Sequence, residues 1–475
     1  MNVMKTSVIR FIAACTLAAV TPFAHSADGA TAETIAARLR DQAIRGDSTA
    51  WDFVSELSTR FGPRPAGSAS ELAAAQWSAK KLAALGFENV RVDSFPITAW
   101  VRGIEHAEIV APSPQPLTVA SLGGAPATPP GGVEGEVVSF ANLDALKAAA
   151  PGSLAGKIAL VAFHMPRTQD GSGYGFAVAA RAYGPIEAAK RGALGFMIRS
   201  VGTGGHRFAH AGATRYENGR VPIPAFAISE PDGDQIERLA ALGEKIRVRL
   251  TSNARYVPSS SSYNVSGEIR GAARPNEVIV LGAHLDSWDL GTGAIDDGAG
   301  CAIITAAAKL ARSAPRKPQR TIRVVLYGSE EITQPTDVLQ GGRAYLEAHR
   351  ADLATHIAAG ESDFGAGRVY SVSLTKGAMD SQFGQALLRV LAPLGIVPTT
   401  SAPQGGSDVG PLGAAGVPLF DLNQDGTKYF DFHHTADDTL DKIEPAALAQ
   451  NVAAWTALAW LIADSDVDLR ALAAR

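Results

Sequence analysis

A chain of 475 residues exceeds the size at which one hydrophobic core stops growing, so two or more domains are expected. With 46% hydrophobic and 19% charged residues, 48 glycines and 27 prolines, the composition excludes disordered, collagenous and coiled-coil classes. The formal net charge of −4 leaves no basic excess to attract nucleic acid or anionic lipid.

The N-terminus has the parts of a targeting segment. Lys5 and Arg10 make a positive start, residues 11–20 an apolar stretch, and Ala24-His25-Ser26 a small-x-small cleavage site. The apolar stretch is far shorter than the roughly 20 residues a membrane-spanning helix needs. Residues 1–26 are therefore expected to be a signal peptide, with export to the periplasm or medium. Ile12-Ala13-Ala14-Cys15 offers a lipoprotein as a minor alternative, against which Arg10 leaves only four apolar residues before Cys15. Cleavage after Ser26 would remove two basic residues and no acidic one, making the net charge −6. It would also leave Cys301 as the one cysteine, so an exported chain would rely on its core or on metal rather than on disulfides.

Residues 31–85 carry a helical pattern broken by the Gly62-Pro63-Arg64-Pro65 turn. Strand-like alternation follows at 89–95 and 107–111. Residues 112–132, rich in proline, glycine and small residues, read as a boundary, and Ser259 to Ser262 as a polar linker. Between them short β runs at 133–140, 157–163, 193–198 and 221–228 alternate with short helical ones. The expected organisation is one domain made of residues 27–115 and 255–475, with residues 116–254 inserted as a β-rich domain.

From Asn264 onward the pattern is α/β. Apolar strands are expected at 277–282, 321–327, 356–359 and 417–422, with a helix at 299–314. Such alternation predicts a mostly parallel mixed sheet flanked by helices, with its site beyond the carboxyl ends of the strands. The apolar run 446–463 contains Gln450, Asn451 and Thr456, which favours a packed helix over a membrane span.

Metal-ligand residue types recur at those strand ends. They are His284 and Asp286 after the first, then Asp296 beyond a glycine loop, Glu330 and Glu331 after the second, Glu361 and Asp363 after the third, and His433 and His434 after the fourth. Each piece alone has a plain reading: a surface pair, a solvated face, a helix N-cap at Asp363, adjacent histidines in a loop. Packing gives no reason for every strand to end this way. Histidine with carboxylate and no thiolate suits zinc or a similar first-row ion at a catalytic site. Two dications would be balanced by three carboxylates and one hydroxide, as in two-metal hydrolases with ions roughly 3.5–4 Å apart.

The stretches His284-Leu285-Asp286-Ser287-Trp288-Asp289, Ala294-Ile295-Asp296-Asp297-Gly298, Glu330-Glu331, Glu361-Ser362-Asp363, and His433-His434-Thr435 with Asp438-Thr439 resemble the zinc aminopeptidase and glutamate carboxypeptidase family, nearest its plasma glutamate carboxypeptidase branch. The resemblance covers nearly the whole chain after residue 26. It implies a zinc-peptidase fold, an inserted protease-associated domain, two Zn2+ per chain, and hydrolysis of dipeptides or short peptides. It also admits a homodimer. By the same resemblance His284 and Asp363 would hold one zinc, Glu331 and His434 the other, and Asp296 would bridge them. Asp286 would orient His284, and Glu330 would be the general base. His434 rather than His433 fits the family's His-Ser/Thr-x-x-Asp/Glu-Thr pattern.

His210-Ala211-Gly212 with Tyr216 resembles a segment that caps the cleft, and Ser407-Asp408 one near the site; His210, Ser407 and Asp408 are thus candidates for the substrate pocket. The chain departs from the pattern after Glu331, where Ile332 to Gln340 precede Gly341-Gly342. That departure leaves open whether substrates are dipeptides, longer peptides trimmed from the N-terminus, or longer peptides trimmed from the C-terminus. Two other classes fit less well. A serine hydrolase elbow at Gly405-Gly406-Ser407-Asp408-Val409 lacks its second glycine. A receptor of the same fold would have lost ligands that this sequence keeps.

Overall fold

The computed structural model describes residue 1, residues 31–332 and residues 340–473. The signal peptide with its cleavage point at Ser26, the alternative at Cys15, and residues 333–339 of the departure after Glu331 lie outside the described residues.

Three helices open the described chain. Thr31 caps Ala32–Gly46 by accepting the Thr34 N–H, and Ser68 caps Ala69–Ala84 by accepting that of Glu71. Between Thr49–Phe61 and the third helix the chain turns at Gly62, whose φ of 56° suits glycine. A five-stranded sheet follows, in the order Glu88–Val101, Arg255–Ile269, Arg320–Tyr327, Arg274–His284, His356–Glu361. Its first two pairings are antiparallel and its last two parallel, so the sheet is mixed and its parallel part is the three strands that lead to the expected ligands.

Those three strands are apolar because helices cover both faces. Val278 to Leu281 are buried, as are Ile322 and Val324 to Tyr327. The helix Ala299–Arg312 and the C-terminal helix Pro445–Asp464 pack on the face of Ile279, Leu281, Ile322 and Val324, and the helices Gln340–Ala348 and Gly410–Ala414 on the face of Val278, Val280 and Val325. The C-terminal helix is long and apolar enough to cross a membrane, yet 89% of its apolar window is buried inside the fold. Gln450 brackets Val369, accepting its N–H and donating to its carbonyl at 2.8 Å each, and Asn451 donates to Gly367 O at 2.8 Å. The Gln450 amide is thereby satisfied within the core, whereas Asn451 bonds through its nitrogen and its Oδ1 is buried with no hydrogen-bond partner among the described residues.

Three expectations shift. Residues 417–422 form no strand of the main sheet. Leu419 makes a single bridge to Ala359, because Pro418 has no N–H to extend a ladder, and Asp421–Gln424 pairs instead with Val369–Ser373 in a separate three-stranded sheet. Ser259 to Ser262 is no linker: it lies inside the strand Arg255–Ile269, paired with Phe95 to Ile97, and Ser262 donates to buried Glu71. Finally, an eight-stranded sheet spans residues 105–252, wider at its start than the expected 116–254. Glu105–Ala111 belongs to it because Ala107 and Ile109 bury against the same cluster as Val248 and Leu250.

Candidate metal centre

Register places the ligand-bearing ends together. His284 lies opposite Tyr327, and Gly282 opposite Glu361, so three parallel strands stop at one edge. The loop leaving His284 is then held by Arg64. This wholly buried guanidinium donates to the carbonyls of Leu285 at 2.7 Å, Thr292 at 2.7 Å and Gly293 at 2.8 Å. Gly293 is left-handed, and a Cβ there would collide with Ser287 and Arg64. Asp438 completes the turn, its Oδ1 accepting the N–H groups of Ala294 at 2.8 Å and Ile295 at 2.7 Å. Asp296 is delivered to the middle of the site.

The five expected ligands converge on it. Asp296 Oδ1 lies 3.1 Å from His284 Nε2, which is 3.3 Å from Asp363 Oδ1. Asp296 Oδ2 lies 3.2 Å from His434 Nε2, which is 3.1 Å from Glu331 Oε2. One carboxylate thus faces two histidine–carboxylate pairs, one with each oxygen. His433 stacks on His434 with ring centroids 3.5 Å apart, and its Nε2 stands 3.5 Å from Asp296 Oδ2, but among the described ion pairs only His434 also meets Glu331. Asp297 is committed to the backbone, accepting the N–H groups of His284 and Gly300 at 3.1 and 2.9 Å.

The orienting contacts differ from expectation. His284 Nδ1 meets the carbonyl of Asp286 at 2.9 Å, whereas the Asp286 carboxylate stands 3.8 Å away. That carboxylate accepts the N–H groups of Glu330 at 3.0 Å and Glu331 at 3.3 Å, because both face it across the strand edge. Asp286 therefore sets His284 through its backbone and the glutamate pair through its side chain. His434 Nδ1 finds its acceptor in Ala211 O, 3.2 Å away.

Electrostatically the cluster wants cations. Burial and the charge of Asp296 push Glu331 up to about 7. Burial likewise drives Glu330 well above the usual carboxylate range, with Asp363 and Glu331 adding to it against the pull of His284. Burial works against the imidazolium of His284, but Asp363 and Asp296 outweigh it and hold that pKa well above the ordinary value. Glu331 Oε1 is buried with no hydrogen-bond partner among the described residues. Buried carboxylates of this kind need counter-charge. With both Nδ1 atoms facing carbonyls, each Nε2 is left as a lone-pair donor. The donor set, histidine and carboxylate without thiolate, fits zinc.

Residues 264–459 match the pattern of peptidase family M28. Carboxypeptidase Q of Mus musculus is 32% identical over 439 residues, covering 91% of this chain and 90% of its own. The chain belongs to peptidase family M28. A crystal structure of a peptidase M28 precursor from Shewanella amazonensis SB2B superposes with a TM-score of 0.88 at 44% identity, covering 93% of this chain and 98% of that one. A zinc aminopeptidase from Bacillus subtilis shares the fold with a TM-score of 0.60 at 21% identity, over 86% of this chain and 93% of its own. As an M28 member the chain is a metallopeptidase, with the mixed α/β architecture of zinc aminopeptidases.

The M28 cluster opens into a cavity of about 390 Å³. Glu330, Glu331, Asp363, Ser407 and both C-terminal histidines line it, together with Tyr174, Arg181 and Arg215 from the eight-stranded-sheet region. Ser407 is thus at the cavity, but His210 and Asp408 are not. His210 is buried against Gly202, its N–H on Ser200 Oγ at 2.9 Å, and burial with nearby His434 lowers its pKa to about 3. Asp408 turns away, its Oδ1 accepting Gly342 N–H at 3.0 Å. Arg181 and Tyr174 were missed in the sequence, where an arginine and a tyrosine on one helix carry no motif. Arg181 is buried, with its guanidinium 5.7 Å from the Tyr174 ring centroid and donating to Tyr174 Oη at 3.1 Å. Among the described residues no carboxylate lies within ion-pair distance of it.

Proposed function

We propose that this M28 peptidase is an exported di-zinc exopeptidase that hydrolyses dipeptides or short peptides with a free carboxyl end. His284 and Asp363 would hold one ion, Glu331 and His434 the other, and Asp296 would bridge. When bound, the two ions supply Lewis acidity toward the scissile carbonyl and lower the pKa of water. Glu330 takes the proton of the attacking water and returns it to the leaving amine, a role its place in the cavity beside Glu331, Asp363 and His434 supports. Export rests on Lys5, Arg10 and the apolar run that follows.

The observation that carries the substrate reading is that Arg181, bonded to Tyr174 Oη and to the Ala211 and Ala213 carbonyls but to no carboxylate among the described residues, lines the same cavity as the metal cluster. A buried guanidinium with no acidic partner among the described residues is a recognition group for a carboxylate. Residues 105–252 act as a protease-associated cap whose wall limits substrate length. Matched sets of free, N-acetylated and C-amidated dipeptides test this. Amidation should cost most of the activity, and Arg181→Met should raise KM for the free acids far more than for the amides. Equal turnover of free and amidated dipeptides by the wild type would overturn the reading and leave N-terminal trimming of longer peptides.

A further inference from the structure

The two halves of the metal centre are anchored differently. His284 Nδ1 is held at 2.9 Å by the carbonyl of Asp286, two residues along its own loop. His434 Nδ1 is held by Ala211 O at 3.2 Å, and the Ala211 N–H returns 2.8 Å to the carbonyl of His434. Ala211 belongs to the region built on the eight-stranded sheet, so one histidine borrows its orientation from outside the peptidase sheet. His434 also sits at φ 62°, a conformation that favours glycine and must be imposed on histidine by its surroundings.

The segment leading to His434 is docked on the same region throughout. Gly426 N–H donates to Gln169 O at 2.8 Å, and Gln169 Nε2 to Asp425 Oδ2 at 2.9 Å. Thr203 Oγ1 and Arg167 Nη2 both reach Asp431 Oδ1 at 2.7 Å, and Thr203 N–H donates to Phe430 O at 3.1 Å. These polar contacts reach the surface, the Arg167 side chain being 40% exposed, and they flank an aromatic contact in which Tyr174 stacks on Phe430 with ring centroids 4.8 Å apart.

We infer that residues 105–252 are a positioning element for the zinc ion at His434 and Glu331 alone, so that docking of this region and occupancy of that site are coupled, while the ion at His284 and Asp363 is held independently. The inference rests on the di-zinc reading. By linkage, the factor by which docking strengthens zinc binding is the factor by which zinc strengthens docking. An outer partner of a ligating histidine is typically worth about 10–100-fold in metal affinity.

The test is the double variant Arg167→Ala, Thr203→Val, which removes two side chains that bind Asp431 and none of the five proposed ligands. Holoprotein is dialysed against graded chelator and zinc per chain is counted. The variant should release one zinc at least about tenfold more readily than wild type and keep the other with unchanged affinity; the ion that stays also shows that the chain is folded. In a His434→Ala background the double substitution should change nothing further, whereas in a His284→Ala background it should still weaken the remaining ion. Hydrogen exchange gives the reciprocal readout: zinc should slow exchange at residues 203–211 in the wild type and in His284→Ala, but not in His434→Ala. Retention of both ions at wild-type affinity, or equal weakening of both, overturns the coupling. Failure of the wild type to bind any zinc overturns the metal reading beneath it.

Discussion

Asp286 receives the backbone N–H of Glu330 at 3.0 Å, so the residue beside one histidine also fixes the position of the candidate base. Its other oxygen takes the next N–H, that of Glu331, at 3.3 Å. One buried carboxylate spans the two strand ends and ties the candidate base and the candidate ligand to a common support. Asp286→Ala would leave the Glu331 N–H buried and unpaired, at about 1–3 kcal/mol, and the half-buried Glu330 N–H without its acceptor. The expected result is a lower unfolding midpoint together with lower kcat, with His284 still in place because its acceptor is the main chain. Unchanged kcat in a stably folded variant would refute this.

Within the glutamate pair the two roles separate by substitution. Glu330→Gln keeps shape but cannot take a proton, and should retain both metal ions while losing at least about a hundredfold in kcat. Glu331→Gln should lose metal instead. Elemental analysis beside steady-state kinetics tells the two apart, and the opposite pairing of effects would reverse the assignment.

Metal content offers a direct measurement. Two zinc ions per chain are expected in purified protein. Chelation should abolish activity and zinc should restore it, while His284→Ala and His434→Ala should each lower the stoichiometry. Full activity in zinc-free protein would end the zinc mechanism.

His356 carries a pH dependence of stability far from the candidate ligands. It is buried, with Nε2 3.0 Å from Tyr345 Oη and Nδ1 3.2 Å from Asp352 O, and burial with Arg323 nearby lowers its pKa to about 4. Its unfolded value is about 6.5. The native state therefore refuses a proton that the unfolded chain accepts. The stabilisation is complete above about pH 6.5, erodes as pH falls toward about 4, and is lost below. His356→Gln should flatten that part of the unfolding profile, and an unchanged slope between pH 6.5 and 4 would contradict the assignment.

The candidate site was legible largely because buried parallel strands are unmistakable as apolar runs, and the polar residues after them stand out against that background. His284, Asp296, Glu331, Asp363 and His434 converge for that reason. What escaped is what residue type does not encode. Ala211 acts through its peptide group, and any residue offers one. Arg64 looked like part of a turn, yet its side chain binds the loop below the metal centre. The alternation at residues 107–111 announces a strand but not which of two sheets takes it. Ser259 to Ser262 resembled a linker because hydroxyls in a strand read like hydroxyls in a loop.

Cys301 lies at the start of the helix Ala299–Arg312, wholly enclosed, with its Sγ donating to the carbonyl of His284 at 3.1 Å. Burial raises its thiol pKa well above the ordinary value, and Asp297 adds to this, so the sulfur stays neutral and out of reach. In an oxidising compartment that matters more than its presence: a sheltered thiol can neither cross-link two molecules nor trade partners with a passing disulfide. Any reagent that does label it reports that the ground beneath the metal centre has come apart.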